Sequence, residues 1–135
     1  MAETFQLEIV TPEKKVVNTP VEEVQIPGKS GYLGILPGHA PLITELAVGE
    51  ITYRENATER HLAVAWGFAE VIPDKVTVLA ETAERPSEID VERARKAKAR
   101  AEQLLTSGNT EVDVDRALDA LQRAETRLEV AQKNQ

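Results

Sequence analysis

Cysteine is absent from the 135-residue chain, which removes disulfides, thiolate-bound zinc and thiol nucleophiles together. Histidine is scarce: His39 and His61 are the only two, too few for a histidine-rich metal site, and no metal site is expected. Aromatic residues make up 4%, so there is no platform for stacking single-stranded bases. The net charge of −7 argues further against nucleic acid, whose phosphates need concentrated Lys and Arg. No apolar run approaches the ~20 residues that cross a bilayer as a helix. The opening MAETFQLEIV lacks the basic start and apolar stretch of a secretory signal.

What is present is the balance of a soluble globular chain, 41% hydrophobic and 29% charged. Proline and glycine divide it. All 7 prolines lie at or before Pro86, and six of the 7 glycines at or before Gly67, the other being Gly108. Both residues interrupt regular elements and favour turns, so residues 1–86 read as short segments joined tightly. Residues 87–135 are rich in Ala, Glu, Arg, Leu and Gln, which are good helix formers. Charge is uneven as well: residues 1–87 carry 13 acidic and 7 basic side chains, and residues 88–135 carry 10 and 9.

The first part alternates with the period of half-buried strands. Phe5, Leu7 and Ile9 point one way, Gln6 and Glu8 the other. Val24 with Ile26, Leu33 with Ile35, Ile51 with Tyr53, and Val76 with Val78 and Ala80 repeat the pattern. A polar loop is expected over Arg54–Arg60, and two strand-like runs, His61–Trp66 and Phe68–Ile72, around Gly67. The fold class expected is α+β: an antiparallel β-sandwich of about eight to ten short strands, then an antiparallel two-helix hairpin. A sandwich of this length without disulfides has a modest core and leans on a neighbour.

The second part has helical period. Ala94, Ala97, Ala101 and Leu104 form one stripe; Val114, Ala117, Leu118, Leu121, Ala124, Leu128 and Ala131 form another. Ser87 is expected to cap the first helix, with Asp90 in the reciprocal position. Gly108 should end it in a left-handed cap, and Asp113 or a neighbour should start the second. Alanine buries little area, so the seam is thin. Such a hairpin is either a plain cap on the sheet or a mobile element with more than one docked position.

No catalytic constellation is visible. Ser30, Ser87 and Ser107 have no histidine nearby in sequence, and no glycine-rich phosphate loop of the usual spacing occurs. His39 lies in a turn and suits a structural hydrogen bond or a partner contact; His61 reads as a surface residue, and Glu22-Glu23 as a solvated strand face. One arrangement stands apart. Asp90, Arg93, Lys96 or Ala97, and Arg100 follow one face of the first helix, and Arg116, Arg123 and Arg127 recur at steps of seven and four on the second. Guanidinium forks on two adjacent helices could converge on phosphate oxygens, with Asp90 accepting from an amine or hydroxyl of the ligand. The same residues could form ordinary helix-surface ion pairs, such as Glu92–Lys96 and Asp119–Arg123, or dock on an acidic partner surface.

The run GYLGILPGHAPLI at Gly31–Ile43 closely resembles the signature region of the epsilon subunit of bacterial F-type ATP synthases. FQLEIVTPEKKVV, GFAEV at Gly67–Val71 and VTVLAETAER at Val76–Arg85 resemble it too, and the likeness covers essentially the whole chain. One departure is Trp66, where the family often has glycine; its side chain must find a home in the sandwich or at a partner. The resemblance implies a non-catalytic central-stalk subunit that couples proton flow to ATP synthesis, on the cytoplasmic face of a bacterial membrane. In it, residues 1–86 would bind the gamma subunit and the c-ring, and membrane contact would come only through the complex. Ser30, Gly31 and Tyr32, and Gly38, His39, Ala40 and Pro41, resemble the ring- and stalk-facing edge, although some relatives carry an acidic residue where Tyr32 stands.

The hairpin, in the family, can lie folded or extend toward the alpha/beta catalytic head and restrain hydrolysis. Arg93, Arg95, Lys96, Lys98, Arg100, Arg116, Arg123 and Arg127 suit that acidic contact. Some bacterial members bind ATP on the folded hairpin through Ile or Leu, Asp, two variable residues, Arg, Ala. Ile89-Asp90-Val91-Glu92-Arg93-Ala94 resembles that motif at every fixed position, with supporting residues falling on Glu84, Arg100, Arg123 and Arg127. No cofactor is required by this reading; ATP would be a regulatory ligand. A purely structural coupling subunit is the alternative.

Overall fold

Phe5, Leu7 and Ile9 bury one side of a strand, and Val76, Val78 and Ala80 bury one side of another, 0–4% exposed in each case. In the computed structural model, which describes residues 3–133, these two distant runs lie side by side as parallel neighbours. The strands in chain order are β1 (Phe5–Val10), β2 (Lys15–Val21), β3 (Glu23–Gly28), β4 (Gly31–Ile35), β5 (Leu42–Leu46), β6 (Gly49–Glu55), β7 (Thr58–Ile72) and β8 (Lys75–Glu84). They hydrogen-bond in the order β2-β1-β8-β7-β5-β3-β4, with β6 between β3 and β7. The eight strands fall within the expected number. The sole parallel pair among the described residues, β1 with β8, was not foreseen.

The two layers share one strand. β7 is a single 15-residue strand, not two runs. Its first half carries β6 and its second half carries β5. It bends at Trp66 (φ 51°) and Gly67 (φ 120°), and the chain between β5 and β6 bends alongside, where Trp66 N–H donates to Ala47 O at 3.3 Å. Leu7, Ile9, Ile26, Ile51, Leu62 and Val71 meet between the layers with no exposed area. Alternation legible in the sequence therefore becomes a core stabilised by roughly 25 cal/mol for each Å² of apolar surface removed from water.

Arg54–Arg60 is not a loop. β6 and β7 continue through it and reverse at Asn56 (φ 51°) and Ala57 (φ 66°). Two consecutive left-handed residues make the tight turn whose twist matches paired strands. Polar side chains there reflect a solvated hairpin end, and Arg54 pairs with Glu23 at 2.7 Å and Glu22 at 3.6 Å, so those carboxylates are paired rather than merely solvated.

A short 3-10 turn, Pro86–Glu88, follows the sheet and precedes α1 (Val91–Thr106) and α2 (Val114–Ala131). That turn shifts the cap. Asp90, not Ser87, accepts from the backbone N–H of Arg93, at 3.1 Å. Ser87 sits inside the turn, which Glu88 closes by accepting from Arg85 N–H at 2.9 Å; that backbone bond holds the Glu88 carboxyl below its ordinary value. Gly108 takes the expected left-handed conformation (φ 72°) and Asp113 caps α2 through Arg116 N–H at 3.1 Å.

Ala94, Ala101, Ala117 and Ala124 are buried in the helix pair. Leu104, Val114 and Leu118 are 43%, 54% and 48% exposed, so the far end of the predicted stripe buries little. The hairpin meets the sandwich through α2, whose Val130 is buried with Ala63 and Ile89.

Candidate functional site

The strand register of β8 delivers Glu84 to the edge of the sandwich, and Asp90 begins α1 six residues on. α2 returns antiparallel, so Arg123 and Arg127, one turn apart, face both. A cleft of about 300 Å³ results, lined by Glu84, Asp90, Arg93, Ala94, Ala97, Arg123 and Arg127. Six of the eight residues singled out in the sequence for nucleotide binding thus meet. The other two lie elsewhere. Arg100 lines the adjoining larger cleft between the helices. Ile89 is 8% exposed and packs on Val130, so it anchors the motif instead of lining the cleft.

Inside the cleft the chemistry is mixed. Glu84 Oε1 accepts from Arg127 Nε at 2.6 Å, with both side chains 31% exposed. Asp90 spends one carboxylate oxygen on its cap. Arg123 stacks over the ring of Trp66, 4.8 Å from its centroid. Trp66 therefore finds its place under α2. Stacking uses the flat face of the guanidinium and leaves its in-plane N–H groups free to donate. The floor is alanine, which lets a flat apolar group approach the helices.

A second attachment was not visible in the sequence. Glu50, on β6, accepts from Lys133 Nζ at 2.9 and 3.0 Å, and lies 2.7 Å from His61 Nδ1. His61 is 13% exposed at its side chain, so it is no surface residue. The only sequence signal was register: Glu50 and His61 share a face of the β6–β7 ladder, whose pairing a linear reading does not give. Burial opposes ionisation of Glu50, but hydrogen bonds from Lys133, His61 and Thr52 outweigh it and hold the carboxyl below its ordinary 4.5. A group depressed in the folded state stabilises it above the unfolded value, and that contribution is lost as pH falls through the folded one. Docking of the C-terminal turn of α2 is thus expected to weaken as pH drops below 4.5. Acid titration followed by tryptophan emission should show a step that Glu50→Gln removes; superimposable curves would contradict it.

The predicted rotor-facing residues lie at both ends of β4, one of the two strands that end the sheet order. Ser30 lies in the β3–β4 turn while Gly31 and Tyr32, expected in a loop, open β4, with Tyr32 60% exposed and its hydroxyl accepting from Glu50 N–H at 3.0 Å. Gly38, His39, Ala40 and Pro41 follow β4 at its other end, where Gly38 N–H donates to Pro73 O at 2.8 Å. His39 Nδ1 lies 2.7 Å from Ala40 O, a structural hydrogen bond of the expected kind. These are two separate patches, with Leu33–Ile35 of β4, about 10 Å of strand at 3.3 Å per residue, between them. Beside them, sequence reading missed an apolar face: Ile43, Phe68 and Leu79 are 71%, 53% and 54% exposed on β5, β7 and β8. Strand periodicity places them opposite the buried Ala69 and Val78.

Known proteins resemble the chain along its whole length. Residues 4–86 match the family described as ATP synthase, Delta/Epsilon chain, beta-sandwich domain. Residues 87–132 match the one described as ATP synthase, Delta/Epsilon chain, long alpha-helix domain. The ATP synthase epsilon chain of Koribacter versatilis is 69% identical over 109 residues, 80% of this chain and 77% of that one. That of Syntrophobacter fumaroxidans is 50% identical over 133 residues, 98% of this chain and 99% of that one. A chain in the cryo-EM structure of Euglena gracilis mitochondrial ATP synthase, OSCP/F1/c-ring, superposes with a TM-score of 0.81 at 26% identity, over 96% of this chain and 82% of that one. A chain of the Tetrahymena thermophila mitochondrial ATP synthase central stalk and c-ring, 12% identical with a TM-score of 0.59 over 97% and 96% of the two, shares the fold.

Proposed function

The chain belongs to the ATP synthase delta/epsilon family, as a non-catalytic epsilon chain, and from that premise we propose that it is a rotor subunit with an ATP-sensing hairpin. The sandwich would join the gamma subunit and the c-ring on the cytoplasmic face of the membrane. Its apolar face of Ile43, Phe68 and Leu79 supports one such contact, because an exposed patch of this kind on a soluble domain marks an interaction site. The turns at Ser30–Tyr32 and Gly38–Pro41 suit the other.

The observation that carries the sensing role is that the cleft is built from both halves. Glu84 comes from the sheet, Asp90 and Arg93 from α1, and Arg123 and Arg127 from α2. Such a cleft exists only while the hairpin is docked. A ligand held there therefore stabilises the docked form in proportion to its occupancy, and releases the hairpin toward the alpha/beta head when it is scarce. Glu84 and Asp90 offer acceptors to an amine or ribose hydroxyl, and the arginines offer donors to phosphate. A structural coupling subunit without sensing is the second reading, favoured by the Glu84–Arg127 pair, which joins the two halves through protein groups.

Calorimetric titration of the full chain with ATP separates the two, with ADP and GTP as controls. Saturable one-to-one binding, lost in Glu84→Ala with Asp90→Asn, is the expected result. No heat at millimolar ATP would leave the structural reading.

A further inference from the structure

The end of the hairpin is tied to the sandwich at a carboxylate that a histidine shares. Lys133, in the turn after α2, donates to both oxygens of Glu50, at 2.9 and 3.0 Å, and His61 Nδ1 lies 2.7 Å from one of them. Thr52 donates to that same oxygen at 3.0 Å. The side chains of Glu50 and His61 are 14% and 13% exposed, that of Lys133 42%. An ionised carboxylate only accepts, so a neutral His61 carries its proton on Nδ1 and keeps Nε2 as the basic nitrogen. Histidine is the side chain whose charge ordinarily changes between about pH 5 and 8.

With a neutral ring beside it, Glu50 offers Lys133 a full negative charge. Protonation of Nε2 puts a positive charge on the ring whose Nδ1 is 2.7 Å from the same oxygen, and Lys133 then faces a pair with no net charge. When the hairpin lifts, Lys133 leaves for water, whereas His61 stays beside Glu50 because β6 and β7 remain paired. The proton and Lys133 therefore compete for one carboxylate. We propose that His61 is a proton sensor for the docked hairpin: its protonation loosens the Lys133 clasp, so that the end of α2 is held at neutral pH and let go in mild acid. The closed clasp disfavours the charged ring, so the ring protonates at lower pH in the closed form than in the open one. Closure then has its full stability above the open form's midpoint and loses it as pH falls through the closed form's. This range lies above the one, below 4.5, in which Glu50 itself takes up a proton.

The other charged groups of the elements packed around His61 are engaged elsewhere or exposed. Arg54 and Arg60 pair with Glu23 and Glu55, Glu84 with Arg127 of α2, and Glu88 of the turn after β8 with Lys14, while Glu59 and Glu129 are exposed. Tyr32 meets Glu50 through its backbone N–H. The clasp shares no residue with the smaller cleft, so it operates whether or not nucleotide binds there.

The test uses the full chain. NMR titration follows the ring signals of His61, with His39 for comparison, in the wild type and in Lys133→Gln. The His61 midpoint is expected about half a pH unit higher in Lys133→Gln, roughly a threefold change in proton affinity, with His39 unmoved. Amide hydrogen exchange, corrected for the intrinsic rate at each pH, follows opening of Val130–Lys133, where Lys133 N–H donates to Val130 O at 2.9 Å. Protection there should fall about threefold between about pH 7.5 and 5.5 in the wild type. It should stay level in His61→Gln, which keeps an N–H donor toward Glu50 but does not titrate, and be low at both pH values in Lys133→Gln. Equal His61 midpoints in the two chains overturn the proposal, as does protection that ignores pH or a pH response that survives His61→Gln. Should His61→Gln fail to fold, the two midpoints and the wild-type exchange decide alone.

Discussion

Gly67→Ala is expected to destabilise the sandwich by about 3–5 kcal/mol, a large share of the roughly 5–15 kcal/mol that holds a small domain folded. A Cβ at this position would lie 1.8 Å from the carbonyl oxygen of Leu79 and 2.9 Å from its carbon. Both are backbone atoms of β8, so no flexible side chain can swing aside. The conformation adds its own penalty, since φ is 120°, outside the range an L-residue adopts without strain. Relief would require β7 to part from β8 where β7 bends between layers. Urea denaturation followed by circular dichroism measures the effect. A loss under 1 kcal/mol would mean that the two strands separate there at little cost.

Arg123→Ala should reduce ATP affinity by roughly 10–100-fold, the range expected when a charge-assisted hydrogen bond is removed. Arg123 lines both clefts, so under the ATP-sensing proposal its loss would weaken the hold on the ligand in each. The same substitution uncovers Trp66, the only tryptophan of the chain, and its emission should shift to the red. Arg123→Lys keeps the charge and loses the planar fork, and should fall between. Unchanged affinity in the alanine variant would remove Arg123 from the site. Trp66 itself holds a left-handed conformation (φ 51°) that costs a non-glycine residue about 1–2 kcal/mol. Stacking on Arg123 offsets part of that, which ties the strand's strain to the docked position of α2.

The α+β layout was legible because two hydrophobic periods, two and then three to four, succeed one another around Pro86. Strand faces such as Phe5-Leu7-Ile9 could be read directly, since half-burial imposes alternation. β2 and β5 were harder: Pro20 interrupts one, and Ile43 in the other points outward, leaving a faint pattern. Arg54–Arg60 read as loop because a solvated hairpin end has loop composition, while its tight turn is fixed by φ at Asn56 and Ala57, which composition does not reveal. In the cleft, the arginines were visible through their helical spacing. Glu84 came only through family resemblance, because no local pattern links a strand end to helices that fold back on it. The Glu50–His61–Lys133 cluster stayed hidden for that reason, its members being brought together by a strand ladder and the end of α2.

Sandwiches made of separate sheets slide by exchanging side-chain packing at their interface. Here the covalent backbone of β7 crosses from one layer to the other, with β5–β6 crossing alongside it. Slip between layers would require stretching bonded chain and breaking two ladders of hydrogen bonds together. A twisting load placed on the Phe68–Leu79 face therefore arrives at the opposite layer without lag. If the chain turns with a stalk, as proposed, the sandwich would act as a stiff collar, and compliance would be left to the helices attached at its rim.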